Sequence, residues 1–344
     1  MNKLKEFVRD HQLIAFLVLA YAITWAVWIP AHSLKYGGLV SAWGAFGPAL
    51  AGIIITKLVN PKHGPRGRDV PWSAFLLGML VSTLVFLLVV WMQVRPPWPP
   101  RLLSSVILQG LVSAVAPAYI LASAYSRNES VRAFLESLVK PRGSPIYYVF
   151  AVLVFPLTFW LGNVISRPFG IAPFYVVPPR HGWDGVLFVI VAFITQFFYG
   201  NGLGEEPGWR GFALPRLQTR YSPIVSSLII AVVWFPWHLP LTGFGAEEIS
   251  YLGYGLGFIP QAVILTWLFN RTNGSILAVG MAHAAFNVGG KYLFPPSYGV
   301  LIIQFILVVG LILIDRMWDR NTLQGSSAVY AATGKEPPVG QSSA

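Results

Sequence analysis

The sequence predicts an all-α, polytopic integral membrane protein, and three observations support that prediction. Of the 344 residues, 55% are hydrophobic and 11% are charged, whereas an average soluble domain has about 25% charged residues. The apolar residues are gathered into runs of the length, about 20 residues, that a helix needs to cross a bilayer core about 30 Å thick. Lysine and arginine alternate between the connections of these runs, as they do between the two sides of a membrane.

Ten apolar runs can serve as membrane spans, and we expect a helical bundle with eight to ten of them. In chain order the runs cover residues 13–31, 39–58, 73–94, 102–124, 146–166, 185–204, 223–242, 250–270, 275–293 and 298–315. The first run follows Lys3, Lys5 and Arg9 and so resembles a secretory signal, but its apolar part is longer than that of a typical signal peptide. We therefore expect it to be retained as a span.

The connections between the runs differ in basic charge from one side to the other. Alternate connections hold 18 lysines and arginines on one side and 6 on the other. Cytoplasmic loops carry the excess of these residues, so we expect both termini to be cytoplasmic, in the plasma membrane of a bacterium or archaeon. The net charge of +11 is spread over these loops, which favours the anionic lipids of the inner leaflet over nucleic acid as a partner.

One connection has a helical pattern of its own. In residues 130–141, Val131 and Leu135 are spaced as on one face of a helix, beside Arg132 and Lys140. This pattern is typical of a short helix on the inner membrane surface, although an ordinary connector would also account for it.

The chain shows no convincing internal repeat, so we expect one membrane domain with four sections. These are the N-terminal helices and loops (1–144), a core that holds the motifs described below (145–293), the last transmembrane helix (294–320) and a tail expected to be disordered (321–344). There is no cysteine, which excludes disulfides, thiolate metal sites and cysteine nucleophiles. The sequence does not indicate an oligomeric state.

Two adjacent glutamates, Glu205 and Glu206, lie in an apolar part of the chain, where ionisable residues are costly and mark functional sites. The surrounding stretch, Gly200 to Gly211, contains five glycines, which let backbones approach closely or let a helix break. Pro207 suits the first turn of a new helix. We therefore expect a helix to restart near Glu206 and to run towards Arg220.

In such a helix Glu206 and Arg210 are four residues apart, the spacing at which a carboxylate and a guanidinium pair. Glu205 projects about 100° away from them. We predict that Glu206 and Arg210 hold the site together and that Glu205 performs the chemistry. The two glutamates could exchange these roles, or all three residues could form a structural ion cluster.

Two of the six histidines, His238 and His283, lie in apolar runs rather than in loops. Asn287 follows His283 by one helical turn, so the ring and the amide project from the same face. A lone histidine in an apolar helix is more often a packing residue. Two of them on different helices, together with a glutamate and an asparagine, indicate a site.

These side chains suit three chemistries, and the residues alone leave all three open. Glu205 could act as general base on a water, with the histidines orienting it and with His283 and Asn287 stabilising an oxyanion. Glu205, His238 and His283 could instead bind Zn²⁺ or another divalent metal, with an open position for water. The two histidines could also be axial haem ligands.

Three motifs in this part of the chain resemble those of the CPBP intramembrane proteases, the family of type II CAAX prenyl endopeptidases and bacteriocin-processing, Abi-like proteins. Glu205 to Arg210 resembles the first motif, two glutamates and then an arginine with three residues between. Phe235 to His238 resembles the second, a phenylalanine about one turn before a histidine. His283 to Asn287 resembles the third, a histidine and an asparagine with three residues between them. The resemblance covers about residues 145–292.

The resemblance implies an α-helical membrane hydrolase whose catalytic groups converge in a cavity within the bilayer. Glu205 would activate the water, His238 and His283 would bind a metal or assist directly, and Asn287 would help to stabilise the oxyanion. A bound metal would make the protein a metalloendopeptidase, and no organic cofactor is implied. The substrate would be a membrane-embedded or lipidated peptide, for which a prenylated CAAX sequence is one candidate; the alternative is a non-proteolytic immunity protein or scaffold.

The predicted spans place the candidate residues at different depths. Glu205 lies near the inner end of the sixth span and His238 about 15 residues into the seventh, roughly 22 Å apart at 1.5 Å per residue. A shared site therefore requires one of two arrangements. Either the glycine-rich stretch lets residues 205–220 dip back into the membrane, or the sixth helix extends well past Gly204.

Overall fold

The computed structural model describes residues 3–33, 43–60, 69–93, 99–174, 182–242 and 251–320. Within these ranges the chain is helical, with no strand. The α-helices are α1 (Lys3–Asp10), α2 (Gln12–Ser33), α3 (Gly47–Val59), α4 (Trp72–Gln93), α5 (Pro100–Ser123), α6 (Glu129–Val139), α7 (Ile146–Ser166), α8 (Gly182–Tyr199), α9 (Asn201–Gly204), α10 (Leu214–Gln218), α11 (Pro223–Trp237), α12 (Leu239–Thr242), α13 (Tyr251–Arg271), α14 (Ile276–Val288) and α15 (Tyr298–Ile314). Two π-helical segments, π1 (Pro207–Ala213) and π2 (Gly289–Leu293), interrupt this pattern.

Helix covers most of the described part of each of the ten predicted spans, which confirms the all-α membrane fold. Six described helical runs are long and apolar enough to cross a membrane, and α3 and α15 are shorter apolar helices. On α4, Leu76, Leu80 and Leu84 are four residues apart and each at least half exposed, so they form an apolar stripe of the kind that lipid covers. The predicted disordered tail, residues 321–344, lies outside the described residues.

The chain divides into two compact units. The first comprises Met1–Val139 and Pro178–Gly208, and the second comprises Lys140–Val177 and Trp209–Ala344. This division differs from the sections expected from the sequence, because α8 and α9 pack with the N-terminal helices and α15 packs with the C-terminal ones. The boundary at Gly208 and Trp209 falls inside π1.

In the first unit α2 packs on α3, while α4 packs along α5 and also contacts α8. The hydroxyl of Tyr199, at the end of α8, donates a hydrogen bond of 2.6 Å to the carbonyl of Ser82, and its ring meets Phe86 edge to face. This contact fixes the end of α8, immediately before the glycine-rich stretch.

Helix α6 forms where the sequence predicted a short helix on the inner surface. Asn128 caps it, since its side-chain oxygen accepts hydrogen bonds from the backbone N–H groups of Ser130 and Val131. Its apolar face is buried against α3 and α5, and Val131 and Leu135 are fully covered. Protein, rather than lipid, therefore covers this face.

In the second unit α7 packs against α14 and α15, and α11 packs against α13. Small residues bring α7 and α15 together, since a Cβ on Gly162 would lie 2.4 Å from the Cα of Val300. Aromatic side chains join α7 to α14, with Phe155 and Phe159 both against Phe286. These contacts set the position of α14, which carries His283 and Asn287.

Candidate active site

The glutamate pair lies where the regular helix is broken. Helix α8 ends at Tyr199, Gly200 takes a non-helical conformation (φ −131°, ψ −126°), and the four residues of α9 follow before π1 begins at Pro207. Together these pieces form a helical run of 37 residues, Gly182–Gln218. Helical structure therefore continues past Gly204, after the break at Gly200.

Two glycines seat this stretch closely on the start of α3. A Cβ on Gly204 would lie 2.5 Å from the carbonyl oxygen of Ala45, and a Cβ on Gly208 would lie 2.4 Å from a side-chain carbon of Pro48. Real Cβ atoms do not approach other atoms so closely, so only glycine fits at either position. Between these glycines, Glu205 is 1% exposed and Glu206 is fully buried.

Glu205 is oriented by an asparagine that the sequence analysis did not single out. The side-chain amide of Asn201 donates a hydrogen bond of 2.5 Å to Oε1 of Glu205. The backbone N–H of Glu205 bonds the carbonyl of Asn201 in turn. The separation of four residues was visible in the sequence and places two side chains on one helical face, so it was the signal that could have identified Asn201.

Arg210 lies in π1 and belongs to the second unit. Its side chain is fully buried, and Cζ lies 4.3 Å from the centre of a Trp234 ring, in the geometry of a cation–π interaction. A π-helix bonds residue i to i+5 rather than i+4, so α-helical spacing does not determine which side chain faces Arg210. The pairing of Glu206 with Arg210 stays a prediction.

His238 caps the C-terminal end of α11 and is held by the main chain. Its Nδ1 lies 2.9 Å from the carbonyl oxygen of Trp234. A carbonyl can only accept, so Nδ1 carries a proton, and in the neutral ring the lone pair is on Nε2. Trp237 and Phe258 pack against the imidazole, with ring centres 4.7 and 4.9 Å away. The hydrogen bond and the two ring contacts together fix the orientation of the imidazole.

His283 lies within α14 and is also buried. Its ring meets Trp234 edge to face, with centres 5.2 Å apart, and the ring of His238 lies 5.8 Å from the same side chain. Trp234 therefore contacts Arg210, His238 and His283, and we call these four residues the Trp234 cluster. Asn287, four residues beyond His283 on the same helix, is partly exposed.

Trp234 is a second residue that the sequence analysis missed. The second motif uses Phe235, three residues before His238, whereas Trp234 is four residues before it and contacts its ring. Phe235 packs instead against Phe258. Helical periodicity was the available signal, because the position four residues before a helical histidine shares its face.

The structure brings the candidate residues together in two groups. The second unit assembles the Trp234 cluster, while Glu205 and Glu206 belong to the first unit. The convergence of Glu205 with His238 stays a prediction. Across the described parts of the chain, no three His, Asp or Glu side chains are grouped so that they could hold a metal ion, so metal binding rests on the sequence alone.

Comparison with known proteins adds independent information about this segment. Residues 183–289 match the family model of the Rce1-like type II CAAX prenyl endopeptidases, and the matched segment includes all six candidate residues. A protein of Methanococcus maripaludis called CAAX prenyl protease 2 is 26% identical over 232 residues, which are 61% of this chain and 82% of that protein. Both findings agree with the resemblance to the CPBP family of intramembrane proteases that the three ordered motifs carry.

Proposed function

We propose that this protein is an intramembrane endopeptidase that hydrolyses a peptide bond of a membrane-embedded or lipidated substrate of the prenylated CAAX type. The observation that supports this most directly is the match of residues 183–289 to a family of such enzymes, because all three motifs lie in that segment. The local geometry agrees with it. The proposed base, Glu205, is buried and held by Asn201, and His238 has a fixed orientation.

In the proposed reaction Glu205 acts as the general base. It takes a proton from a water molecule while the water oxygen attacks the carbonyl carbon of the scissile bond. The bond from Asn201 Nδ2 to Oε1 fixes the plane of the carboxylate before the substrate arrives, which lowers the entropic part of the barrier.

The histidines and Asn287 bind the attacking water and the oxyanion that forms from the scissile carbonyl. His238 accepts a hydrogen bond from the attacking water through Nε2, since Nδ1 is used on the Trp234 carbonyl. His283 and the Asn287 amide donate to the carbonyl oxygen as it becomes an oxyanion. When the intermediate collapses, the carbon–nitrogen bond breaks and the proton held by Glu205 passes to the leaving nitrogen.

Arg210 and Glu206 have a supporting role in this proposal. Arg210 is buried against Trp234, so its charge is fixed in place within the Trp234 cluster. We propose that it holds the Glu206 carboxylate and so keeps the adjacent Glu205 in position.

Measuring activity after a chelator has removed divalent metals distinguishes this route from a metal-dependent one. Activity that survives removal of divalent metals assigns water activation to Glu205 acting alone. Activity that is lost on chelation and restored by Zn²⁺ assigns Glu205, His238 and His283 as ligands. The steps above are written for the route without a metal.

The substitution Glu205→Gln tests the proposed function. Glutamine retains an oxygen that can accept from Asn201 but cannot take a proton, so we expect a loss of cleavage of about 10²- to 10⁴-fold. Thermal unfolding in detergent should stay close to that of the wild type. Glu129→Gln, an exposed acid at the start of α6, is the matched control and should retain full activity.

The same experiment distinguishes an immunity protein or scaffold. Such a protein would show no cleavage of a lipidated peptide in the wild type, and any cellular effect of Glu205→Gln would follow protein abundance. Full activity in the Glu205→Gln variant would contradict the assignment of the base.

A further inference from the structure

A cavity lies in the second unit where four helices begin or end. Its volume is about 400 Å³, within the range of small-molecule sites, about 300–1,000 Å³. The residues that line it include Tyr147, Trp267, Asn270, Arg271, Asp315 and Met317. All of them belong to the second unit, and none is a residue of the candidate active site.

The position of the cavity along the helices corresponds to the headgroup region of a membrane. Tyr147 lies in the first turn of α7, Pro223 is the first residue of α11, Arg271 is the last of α13, and Asp315 directly follows α15. Helices α7 and α11 belong to runs that are long and apolar enough to cross a membrane, so their ends lie at its polar boundary. Tyrosine and tryptophan are enriched at this boundary. Lipid headgroups are therefore the polar molecules nearest to the cavity.

Two residues of the cavity wall have a buried polar atom without a hydrogen-bond partner among the described residues. These atoms are Nε1 of Trp267, a donor, and Oδ1 of Asn270, an acceptor. The two residues are three apart on α13, so they lie on the same face. The rings of Tyr147 and Phe150 hold the Trp267 ring in place, with centres 5.9 and 5.0 Å away. Because a buried polar atom without a partner is destabilising, a ligand that supplies both partners gains affinity from each.

Arg271 and Asp315 bring both signs of charge to the same cavity. Nε of Arg271 donates to Oδ2 of Asp315 at 2.5 Å, and Nη2 donates to Oδ1. This bidentate pair uses two of the five N–H groups of the guanidinium and one lone pair on each carboxylate oxygen. Each partner can therefore bind a further group of opposite charge. The Arg271 side chain is 43% exposed, so a molecule from outside can reach the pair.

The helix ends around the cavity also carry both signs of charge. The C-terminal ends of α13 and α15 have a partial negative charge, which favours a cation. The N-terminal ends of α7 and α11 have a partial positive charge, which favours an anion. A ligand with a single charge would face repulsion from one partner of the ion pair and from two of the helix ends. The cavity therefore suits a zwitterion.

We propose that this cavity binds the phosphoethanolamine headgroup of a membrane phospholipid. The primary ammonium group donates to Asp315 and to Oδ1 of Asn270, while the phosphate accepts from Arg271 and from Nε1 of Trp267. Binding involves a small rotation of the Trp267 and Asn270 side chains, a kind of change that is common on binding. A choline headgroup has no N–H group for Asn270, and a glycerol headgroup has no cation for Asp315.

Native mass spectrometry of the full chain in detergent tests this proposal with defined ligands. The protein is titrated with phosphatidylethanolamine, phosphatidylcholine and phosphatidylglycerol that have the same acyl chains, and with soluble glycerophosphoethanolamine. Trp267→Phe removes Nε1 and keeps an aromatic ring, and Asn270→Ala removes Oδ1. Thr266→Val is the matched control, because it removes another buried, unpartnered polar atom of α13 from a residue that does not line the cavity.

We expect the wild type to bind phosphatidylethanolamine about tenfold more tightly than the other two lipids, the scale of a hydrogen bond to a charged group. Trp267→Phe and Asn270→Ala should each remove most of this preference, and Thr266→Val should retain it. Phosphatidylethanolamine should also bind more tightly than glycerophosphoethanolamine, since its acyl chains cover apolar helix surface. The two test substitutions are independent, so if one variant fails to fold, the other decides the outcome.

Three results would overturn the proposal. Equal binding of phosphatidylcholine or phosphatidylglycerol would show that the cavity does not select a zwitterion with a primary ammonium group. An unchanged preference in Trp267→Phe and Asn270→Ala would show that the lipid binds elsewhere. Equal binding of glycerophosphoethanolamine would show that the ligand is a soluble molecule and not a lipid. Since the measurement is of binding, its outcome does not depend on whether the protein cleaves a peptide.

Discussion

The two π-helical segments are built alike and hold their cations differently. Each follows a motif of the candidate site directly, π1 after the glutamates and π2 after His283 and Asn287. Each carries a cation, Arg210 in π1 and Lys291 in π2. Arg210 is fully buried against an aromatic ring, whereas Lys291 is exposed. The same backbone irregularity can therefore carry a buried cation in one place and an exposed one in another.

The comparison predicts its largest effect at Arg210. Arg210→Lys keeps the charge but loses the planar guanidinium that stacks on Trp234, and it leaves an ammonium group buried in a space shaped for arginine. We expect the free energy of unfolding to fall by about 2 kcal/mol and cleavage to fall strongly. Thermal unfolding in detergent and a peptide assay measure the two effects. Unchanged stability would contradict the difference between the two π segments, because Arg210 would then tolerate substitution as an exposed cation does.

A smaller loss of stability is predicted for a substitution where π1 packs on α3. The Cβ introduced by Gly208→Ala would overlap the backbone and side chain of Pro48, and overpacking of this kind costs about 1–3 kcal/mol. Gly310→Ala is the matched control on α15, since a Cβ there would have no neighbour within 4 Å. Alanine at that position should be neutral or stabilise the helix by up to about 1 kcal/mol. Equal thermal shifts in the two variants would argue against close seating of the glutamate segment.

The smallest effect on stability is predicted at Lys291. Lys291→Arg, the reverse of the exchange at Arg210, should change the free energy of unfolding by less than about 0.5 kcal/mol, as is usual for exposed positions. The same thermal measurement applies. A destabilisation as large as that of Arg210→Lys would show that both π segments hold structural cations.

Much of the fold could be predicted from the sequence, because the signals are local. Apolar runs of membrane length locate the helices, and the glycines at positions 204 and 208 indicated a close backbone approach that the structure shows against Ala45 and Pro48. The π segments could not be predicted in this way. A π turn sacrifices regular hydrogen bonding for a tertiary fit, and no spacing rule within residues 207–213 reveals which neighbour imposes that fit.

The sequence singles out the candidate residues by their chemistry and says less about the side chains that surround them. Glu205, His238 and His283 stood out because polar side chains in apolar runs need a reason to be there. Asn201 and Trp234 did not, since an asparagine near glycines and a tryptophan in a membrane helix are unremarkable in composition. Only their separation of four residues from Glu205 and from His238 connected them to the site.

The bond between His238 and position 234 has a consequence for how this site tolerates change. The acceptor is a main-chain carbonyl, and nearly every residue type supplies the same atom when helix α11 is intact. Substitutions at position 234 can therefore resize the space beside both histidines, or weaken the contact with Arg210, while Nδ1 of His238 keeps its proton and Nε2 its lone pair. In such variants the main chain of α11 still determines which imidazole nitrogen carries the proton. The shape of the space around the ring can change without altering that.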